Sequence, residues 1–312
     1  MPTPVLIAAE LKNLLDPPQL EGLDVTWLAA DQPTPKGDYV AIVPLLSRWV
    51  GGSELKNLPN LRIVANCAAG YDNVDLVAAE MRGVVVTNTP DVLTDATADL
   101  AWALILACAR RIVEAIDLVR SGRWPGWHPE QLLGVELRGR VLGLLGAGRI
   151  GQAVGRRATA FGMQVLYASR QPKPEFERDT EAVRVELGRL LRDSDVLSLH
   201  APSTPETKGI IDGAALQQMK AGAILVNTAR GDLVREEALA IALEEGRLGA
   251  AGLDVYADEP RIHPRLLAAP RTVLLPHIGS ATRDTRRKMA AIAVGNVQAV
   301  LAGKAPLTPV YR

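Results

Sequence analysis

Cysteine is nearly missing from this chain: Cys67 and Cys108 are the only two in 312 residues, far apart and set among apolar neighbours. Neither a disulfide framework nor a cysteine-based metal site is built from such a pair, so the expectation is a reduced, cytoplasmic protein with no metal. A surplus of either charge is missing too. Lys plus Arg and Asp plus Glu both number 35, which argues against a dedicated nucleic-acid binder, because phosphate contacts need a basic excess. No apolar run approaches the roughly 18 residues of a membrane span. The longest, residues 100–109, has the length of a buried helix. Met-Pro-Thr-Pro at the start lacks a basic segment followed by an apolar stretch, so neither a secretory leader nor a membrane partner is expected. Long repeats and low-complexity tracts are also absent, and histidine is scarce, with four residues.

What is abundant is apolar sequence, 48% of the chain, broken into short runs that alternate with amphipathic stretches almost from end to end. That is the pattern of parallel sheets covered by helices on both faces. In the first hundred residues the runs 5–8, 25–28, 39–43, 61–65 and 84–87 read as strands, with a short helix over 75–82 and Gly83 as its C-cap. From Thr97 the apolar positions Leu100, Ala103, Leu104, Ala107 and Cys108 follow helical spacing, and one long helical stretch is expected to run to Ser121-Gly122. Residues 123–138 then show no periodicity and carry Trp124 and Trp127, whose rings suit burial against a partner subunit. A second series follows, with strands at 141–145, 164–168, 196–200, 223–227, 250–255 and 272–276. Helices are expected near 150–161, 187–192, 214–219 and 235–245, and a last one over 283–301.

The run Val141-Leu142-Gly143-Leu144-Leu145 leads directly into Gly146-Ala147-Gly148-Arg149-Ile150-Gly151. Strand, Gly-x-Gly-x-x-Gly and helix in that order are the context of a dinucleotide site. Gly146 permits the tight turn, Gly148 lets backbone approach a pyrophosphate, and Gly151 lets the helix lie close to the strand. An NAD site places an acid about 20 residues further on, to hold the ribose 2′-hydroxyl. Here the second strand ends in Ser169-Arg170, with Lys173 close behind. A hydroxyl and cations suit a 2′-phosphate, so NADP(H) is preferred over NAD(H), which remains possible.

Elimination among the histidines singles out His277. His128 lies in the irregular arm and His263 precedes Pro264, while His200 closes a strand where a structural or cofactor-facing role fits better. His277 closes the last strand, and the carboxyl ends of parallel strands are where ligands collect. Neighbouring strand ends carry Arg230, in Asn227-Thr228-Ala229-Arg230-Gly231, and an acidic pair, Asp258-Glu259, before Pro260. An Arg, a carboxylate and a His make a site for reducing a 2-keto acid. The guanidinium pairs with the substrate carboxylate, the acid orients the imidazole and favours its protonated form, and the imidazolium donates to the developing alkoxide.

These residues, together with Ala69-Gly70-Tyr71-Asp72-Asn73-Val74-Asp75, Thr89-Pro90-Asp91-Val92-Leu93-Thr94-Asp95 and Pro276–Thr282 (residues 276–282), carry a resemblance over essentially the whole chain. The sequence resembles the D-isomer-specific 2-hydroxyacid dehydrogenases and, within them, is most similar to the glyoxylate/hydroxypyruvate reductases. The resemblance implies two doubly wound α/β domains, a Rossmann domain inserted in a flavodoxin-like one. Residues 1–98 and 285–312 would form the substrate-binding domain, and 99–284 the NADP-binding domain, including a dimerisation helix and arm at about 99–139. It implies Arg230, Glu259 and His277 as catalytic residues. It also implies that the backbone amides of Ala69 and Gly70 cradle the substrate carboxylate, with Leu46 and Ser47 lining the substrate cleft. Gly148, Arg149 and Ile150 would meet the pyrophosphate, and Thr228, Asp254 and Gly279 the nicotinamide. The arm Gly122-Arg123-Trp124-Pro125-Gly126-Trp127 resembles one whose second Trp reaches the neighbouring subunit's pocket, so Trp127 is implied to act across a homodimer. One departure is Ala69, where many relatives have Val.

Other activities on the same scaffold are short phosphoglycerate dehydrogenase, D-lactate dehydrogenase and 2-ketogluconate reductase. The extra regulatory domain of long phosphoglycerate dehydrogenases has no room after the last helix. Formate dehydrogenase fits less well, because formate oxidation needs no proton transfer to a substrate oxygen. The C-terminal-binding-protein corepressors share the fold and the triad, so a nucleotide-sensing binding protein is the reading from a different class. Against it stand the NADP-like second strand and the lack of a disordered recruiting tail.

Overall fold

The computed structural model describes residues 2–310. The chain falls into two units, one formed by residues up to Leu93 together with those from Ser280 onward, the other by Thr94–Gly279. Each is built on a parallel sheet.

In the first unit, β1 (Thr3–Ala8), β2 (Leu23–Leu28), β3 (Ala41–Val43), β4 (Ile63–Ala65) and β5 (Val85–Thr87) lie in the order β2-β1-β3-β4-β5. The inner strands β3 and β4 are buried at every position, as continuous apolar runs must be when both faces are covered. The edge strand β2 instead alternates partly buried and exposed residues over most of its length. Asp75 caps the helix Leu76–Met81 by accepting from Ala78 N–H at 3.0 Å, and Gly83 ends it at φ +66°. The helix Arg283–Leu301 returns to this unit and rests on β3 and β4 through a buried face that includes Met289, Ala293 and Val297.

In the second unit, β6 (Val141–Leu145), β7 (Gln164–Ala168), β8 (Val183–Arg184), β9 (Val196–Leu199), β10 (Ile224–Asn227), β11 (Ala250–Leu253) and β12 (Thr272–Leu274) take the order β12-β11-β10-β9-β6-β7-β8. The order reverses between β6 and β9, which makes the carboxyl end of β6 the switch point where ligands of such sheets bind. The helix Thr94–Ala109 covers β10, β11 and β12 and also meets the helix Arg149–Ala160. Trp102 fixes that contact: its ring stacks on Phe161 with centroids 4.2 Å apart, and Nε1 donates to Val154 O at 3.0 Å.

The single long helix expected from residue 97 to 121 is instead two, Thr94–Ala109 and Ile112–Arg120. Arg111 between them is left-handed, at φ +52°, and its guanidinium holds Glu114 at 2.7 Å. The last carbonyl of the first helix, Ala109 O, accepts from Val135 N–H at 2.9 Å, so the arm takes the bond that a continuing helix would have used. The helices Gly52–Asn57, Pro174–Thr180 and Pro264–Ala268 and the two-residue strand β8 carry too few apolar residues to show in a periodicity. Among the described residues no helix is long and apolar enough to cross a membrane. Cys67 and Cys108 are free and buried, and burial pushes both thiols up to about 12.

Candidate active site

The turn after β6 has the shape its glycines allow. Gly146 stands at φ +98°, and a Cβ there would lie 2.6 Å from Ala201 N. A Cβ on Gly151 would lie 2.2 Å from Gly146 O, so the helix Arg149–Ala160 comes this close only to a glycine. Gly148 is the N-cap of that helix and is exposed, with nothing within 4 Å of where its Cβ would be. A ligand can thus approach the backbone at the start of this helix, whose first-turn N–H groups have no partner within the helix itself, as a pyrophosphate site requires. Thr228 Oγ1, at the end of β10, is buried without a hydrogen-bond partner among the described residues, which fits a polar group arriving from a ligand. The residues present fit a dinucleotide.

The loop after β7 is held from three directions. Ser169 Oγ donates to Gln171 O at 2.5 Å. Arg184, on the edge strand β8, donates from Nε to Ser169 O and from Nη2 to Arg170 O, both at 3.0 Å. Lys173 N–H donates to the Tyr167 hydroxyl at 2.9 Å, and that hydroxyl in turn donates to Glu177. Arg170 remains exposed, and its charge reaches Glu206, whose carboxyl is lowered chiefly by a hydrogen bond with Thr204. Arg184 escapes a motif search because it acts on the loop's backbone from a different strand, and Tyr167 because its hydroxyl takes a backbone N–H.

Arg230, Glu259 and His277 follow the carboxyl ends of β10, β11 and β12, three adjacent strands. Asn227 folds the first of these connections back on itself: its Nδ2 donates to Arg230 O at 2.8 Å and its Oδ1 accepts from Ala229 N–H at 3.0 Å. His277 Nδ1 and Glu259 Oε2 are 2.8 Å apart, and Glu259 Oε1 accepts from Tyr256 N–H at 3.0 Å. Burial opposes ionisation of Glu259, but the bonds from His277 and Tyr256 and the charge of Arg230 outweigh it and hold the carboxyl below its usual range.

Asp254 supports the histidine from below. Its Oδ1 accepts from Ile278 N–H at 2.7 Å, its Oδ2 from Gly279 N–H at 2.8 Å, and its main-chain O from His277 N–H at 2.9 Å. Burial pushes the Asp254 carboxyl up, against the pull of those N–H groups. The remaining histidines stand apart. His200 Nε2 lies 2.8 Å from Ser198 Oγ beside the glycine turn, and burial lowers its pKa to about 4. His128 is exposed on the arm, and its Nδ1 accepts from Glu130 N–H at 3.3 Å. His263 precedes the helix Pro264–Ala268 and donates its N–H to Glu236.

Within the first unit, Leu46 and Ser47 follow β3, and Ala69 and Gly70 follow β4, at the carboxyl ends of neighbouring strands. In the arm Trp124 and Trp127 are 52% and 82% exposed, and Trp124 Nε1 donates to Gln131 Oε1 at 3.1 Å. A cavity of about 320 Å³, lined by Cys108, Arg111 and Arg271 among others, lies at the opposite end of the sheet, near the starts of β10–β12.

Residues 102–279 match the family described as D-isomer specific 2-hydroxyacid dehydrogenase, NAD binding domain. A glyoxylate reductase from Thermococcus litoralis is 50% identical over 270 residues, 85% of this chain and 82% of its own length. One from Aeropyrum pernix is 50% identical over 278 residues, covering 87% and 83%. Among solved structures, a protein from Thermus thermophilus superposes with a TM-score of 0.92 at 45% identity, covering 99% of this chain and all of its own. An NADPH-dependent glyoxylate/hydroxypyruvate reductase from Sinorhizobium meliloti, solved with NADP and malonate, gives 0.88 at 34% identity over 99% and 97%.

Proposed function

Because the chain belongs to the D-isomer-specific 2-hydroxyacid dehydrogenases, we propose that it uses NADPH to reduce glyoxylate to glycolate and hydroxypyruvate to D-glycerate. The observation that carries the chemistry is the 2.8 Å His277–Glu259 pair on the strand end beside Arg230, in the unit that also bears the glycine turn.

Gly146, Gly148, Arg149, Ile150 and Gly151 hold the pyrophosphate, and Ser169, Arg170 and Lys173 the 2′-phosphate. Thr228, Asp254 and Gly279 serve the nicotinamide end. When bound, that ring supplies a hydride to the carbonyl carbon. Arg230 pairs with the substrate carboxylate and polarises the ketone. Glu259, ionised at neutral pH, keeps a proton on Nδ1 of His277 and stabilises the imidazolium, while Nε2 delivers a proton to the carbonyl oxygen. Ala69 and Gly70 offer backbone N–H groups to a carboxylate, and Leu46 and Ser47 shape the surface beside them. The preference for NADPH is supported by the exposed Arg170, by the absence of any acid in residues 169–173, and by the likeness to an NADPH-dependent relative. The protein works as a homodimer in this reading, with Trp127 of each copy reaching the other's substrate site.

The test is direct. Loss of NADPH absorbance on addition of hydroxypyruvate or glyoxylate is expected, with slower loss from NADH. No turnover of any short 2-keto acid with either cofactor would sink the proposal.

A further inference from the structure

Three asparagines of the first unit, two of them paired, hold loop carbonyls and have no part in the chemistry above. Asn66, just past β4, and Asn73 are 0% and 7% exposed. Their amides face each other, each Nδ2 donating to the other's Oδ1 at 3.0 Å. The amides also reach backbone carbonyls on two loops. Asn66 Nδ2 donates to Gly70 O at 2.9 Å, and Asn73 Nδ2 lies 3.2 Å from Leu45 O and 3.0 Å from Arg48 O. Asn88, just past β5, donates from Nδ2 to Ala69 O at 2.7 Å, and Thr89 N–H donates to Ala68 O at 2.8 Å.

Peptide planarity converts these bonds into a direction. In a trans peptide the C=O of one residue and the N–H of the next point opposite ways. The carbonyls of Ala68, Ala69 and Gly70 are all drawn toward these donors, so the N–H groups of Ala69, Gly70 and Tyr71 face away from them. Among the described residues none accepts a hydrogen bond from the N–H of Ala69 or Gly70. Successive N–H groups aimed one way attract an anion. The same amide pair fixes the second loop, because Leu45 O and Arg48 O bracket Leu46 and Ser47.

We propose that Asn66 and Asn73, assisted by Asn88, are positioning residues for the carboxylate of the 2-keto acid. They hold the Ala69–Gly70 cradle and the Leu46–Ser47 surface in one register without touching substrate. The inference rests on the reading that this cradle binds the carboxylate. Removing the Asn73 amide takes a bond from the partly buried Arg48 O and from the buried Asn66 amide, leaves Leu45 O only its bond from Arg48 N–H, and lets the two loops drift.

The experiment compares wild type with Asn73→Ala and with Asn88→Ala, a milder change that removes a single bond from a half-buried residue. It uses steady-state kinetics on hydroxypyruvate, and the rise in Tm that oxalate produces in the presence of NADPH as a readout independent of turnover. Asn73→Ala is expected to raise KM for hydroxypyruvate about 10- to 100-fold and to weaken oxalate protection alike. Asn88→Ala is expected to move both in the same direction by about 3-fold. KM for NADPH stays put in both variants. Lower kcat with unchanged KM and unchanged oxalate protection would mean that the asparagines only stabilise the fold, and would overturn the proposal; should Asn73→Ala not fold, Asn88→Ala decides alone by the same criterion. Ethyl glyoxylate separates the two levels of the argument. If wild type handles the ester as well as the acid, the carboxylate reading fails and takes the inference with it. If wild type prefers the acid and the variants keep its KM, the inference alone fails.

Discussion

Asp254 binds the backbone N–H groups of Ile278 and Gly279 with its two carboxylate oxygens, and so fixes the residue just before them, His277, in a left-handed conformation at φ +54°. A side-chain-bearing residue held there costs roughly 1–3 kcal/mol, and such strain persists only where the surroundings over-determine it. From this conformation the imidazole Nδ1 lies 2.8 Å from Glu259 Oε2. His277→Asn is expected to slow reduction of hydroxypyruvate by about 10²–10⁴-fold, and Glu259→Gln by about 10²-fold, through loss of the proton donor and of its support. Cofactor binding, followed by NADPH fluorescence, should be unchanged in both. A His277→Asn enzyme of normal kcat would remove the imidazole from the mechanism.

Arg170 is an exposed cation whose main chain is held by a second arginine, Arg184, from the neighbouring strand. Arg170→Asp replaces an attraction for the 2′-phosphate with a repulsion and leaves the Arg184 contacts to the backbone in place. The ratio of kcat/KM for NADPH over NADH is expected to fall by about 10-fold or more. An unmoved ratio would show that the 2′-phosphate lies elsewhere or is not read at all.

Both sheets are legible in the sequence because their inner strands are apolar on both faces. The glycine turn and the Arg, Glu and His residues are legible because chemistry at a strand end needs those residue types. What escapes is structure made by backbone groups. The break at Arg111 depends on Val135 N–H capturing Ala109 O from a distant part of the chain, which no local periodicity records. The strand β8 has two residues, both exposed. The Asn66–Asn73 pair and the Asp254 clamp likewise act on peptide groups, and Asn and Asp near strand ends look in a sequence like ordinary turn residues. Asn73 sits inside a recognisable motif; its partner Asn66 lies outside it and carries no signal of its own.

His200 makes stability depend on pH in a defined direction. Its folded pKa, about 4, lies below the unfolded value, so the unfolded chain takes up the proton first. The contribution is complete above about pH 6.5 and is lost as pH falls toward the folded value, by up to about 1.4 kcal/mol per unit. Between pH 7 and 5 the wild type should lose about 2 kcal/mol that a His200→Gln variant does not lose. Urea unfolding of both proteins at the two pH values measures this. Parallel losses would show that His200 is not held neutral in the fold.

The helix Ile112–Arg120 has no buried residue, yet Ile112, Val113, Ile116 and Val119 are apolar and exposed. Spacings of three and four place Ile112, Ile116 and Val119 on one side. Leu133, Val135, Trp124 and Trp127 on the following arm are exposed as well. Apolar surface in this quantity on consecutive segments is costly in water and suits the subunit contact of the proposed homodimer. Val119→Glu would place an unpaired charge in a closed dimer contact at a cost of several kcal/mol, while remaining neutral for a helix already facing solvent. The wild type is expected to run as a dimer by light scattering at micromolar concentration, and the variant as a monomer that keeps the wild-type circular dichroism. If Trp127 completes the partner's pocket, the monomer should also show a raised KM for hydroxypyruvate, recovered as protein concentration increases. A Val119→Glu dimer indistinguishable from wild type would place the subunit contact on another face.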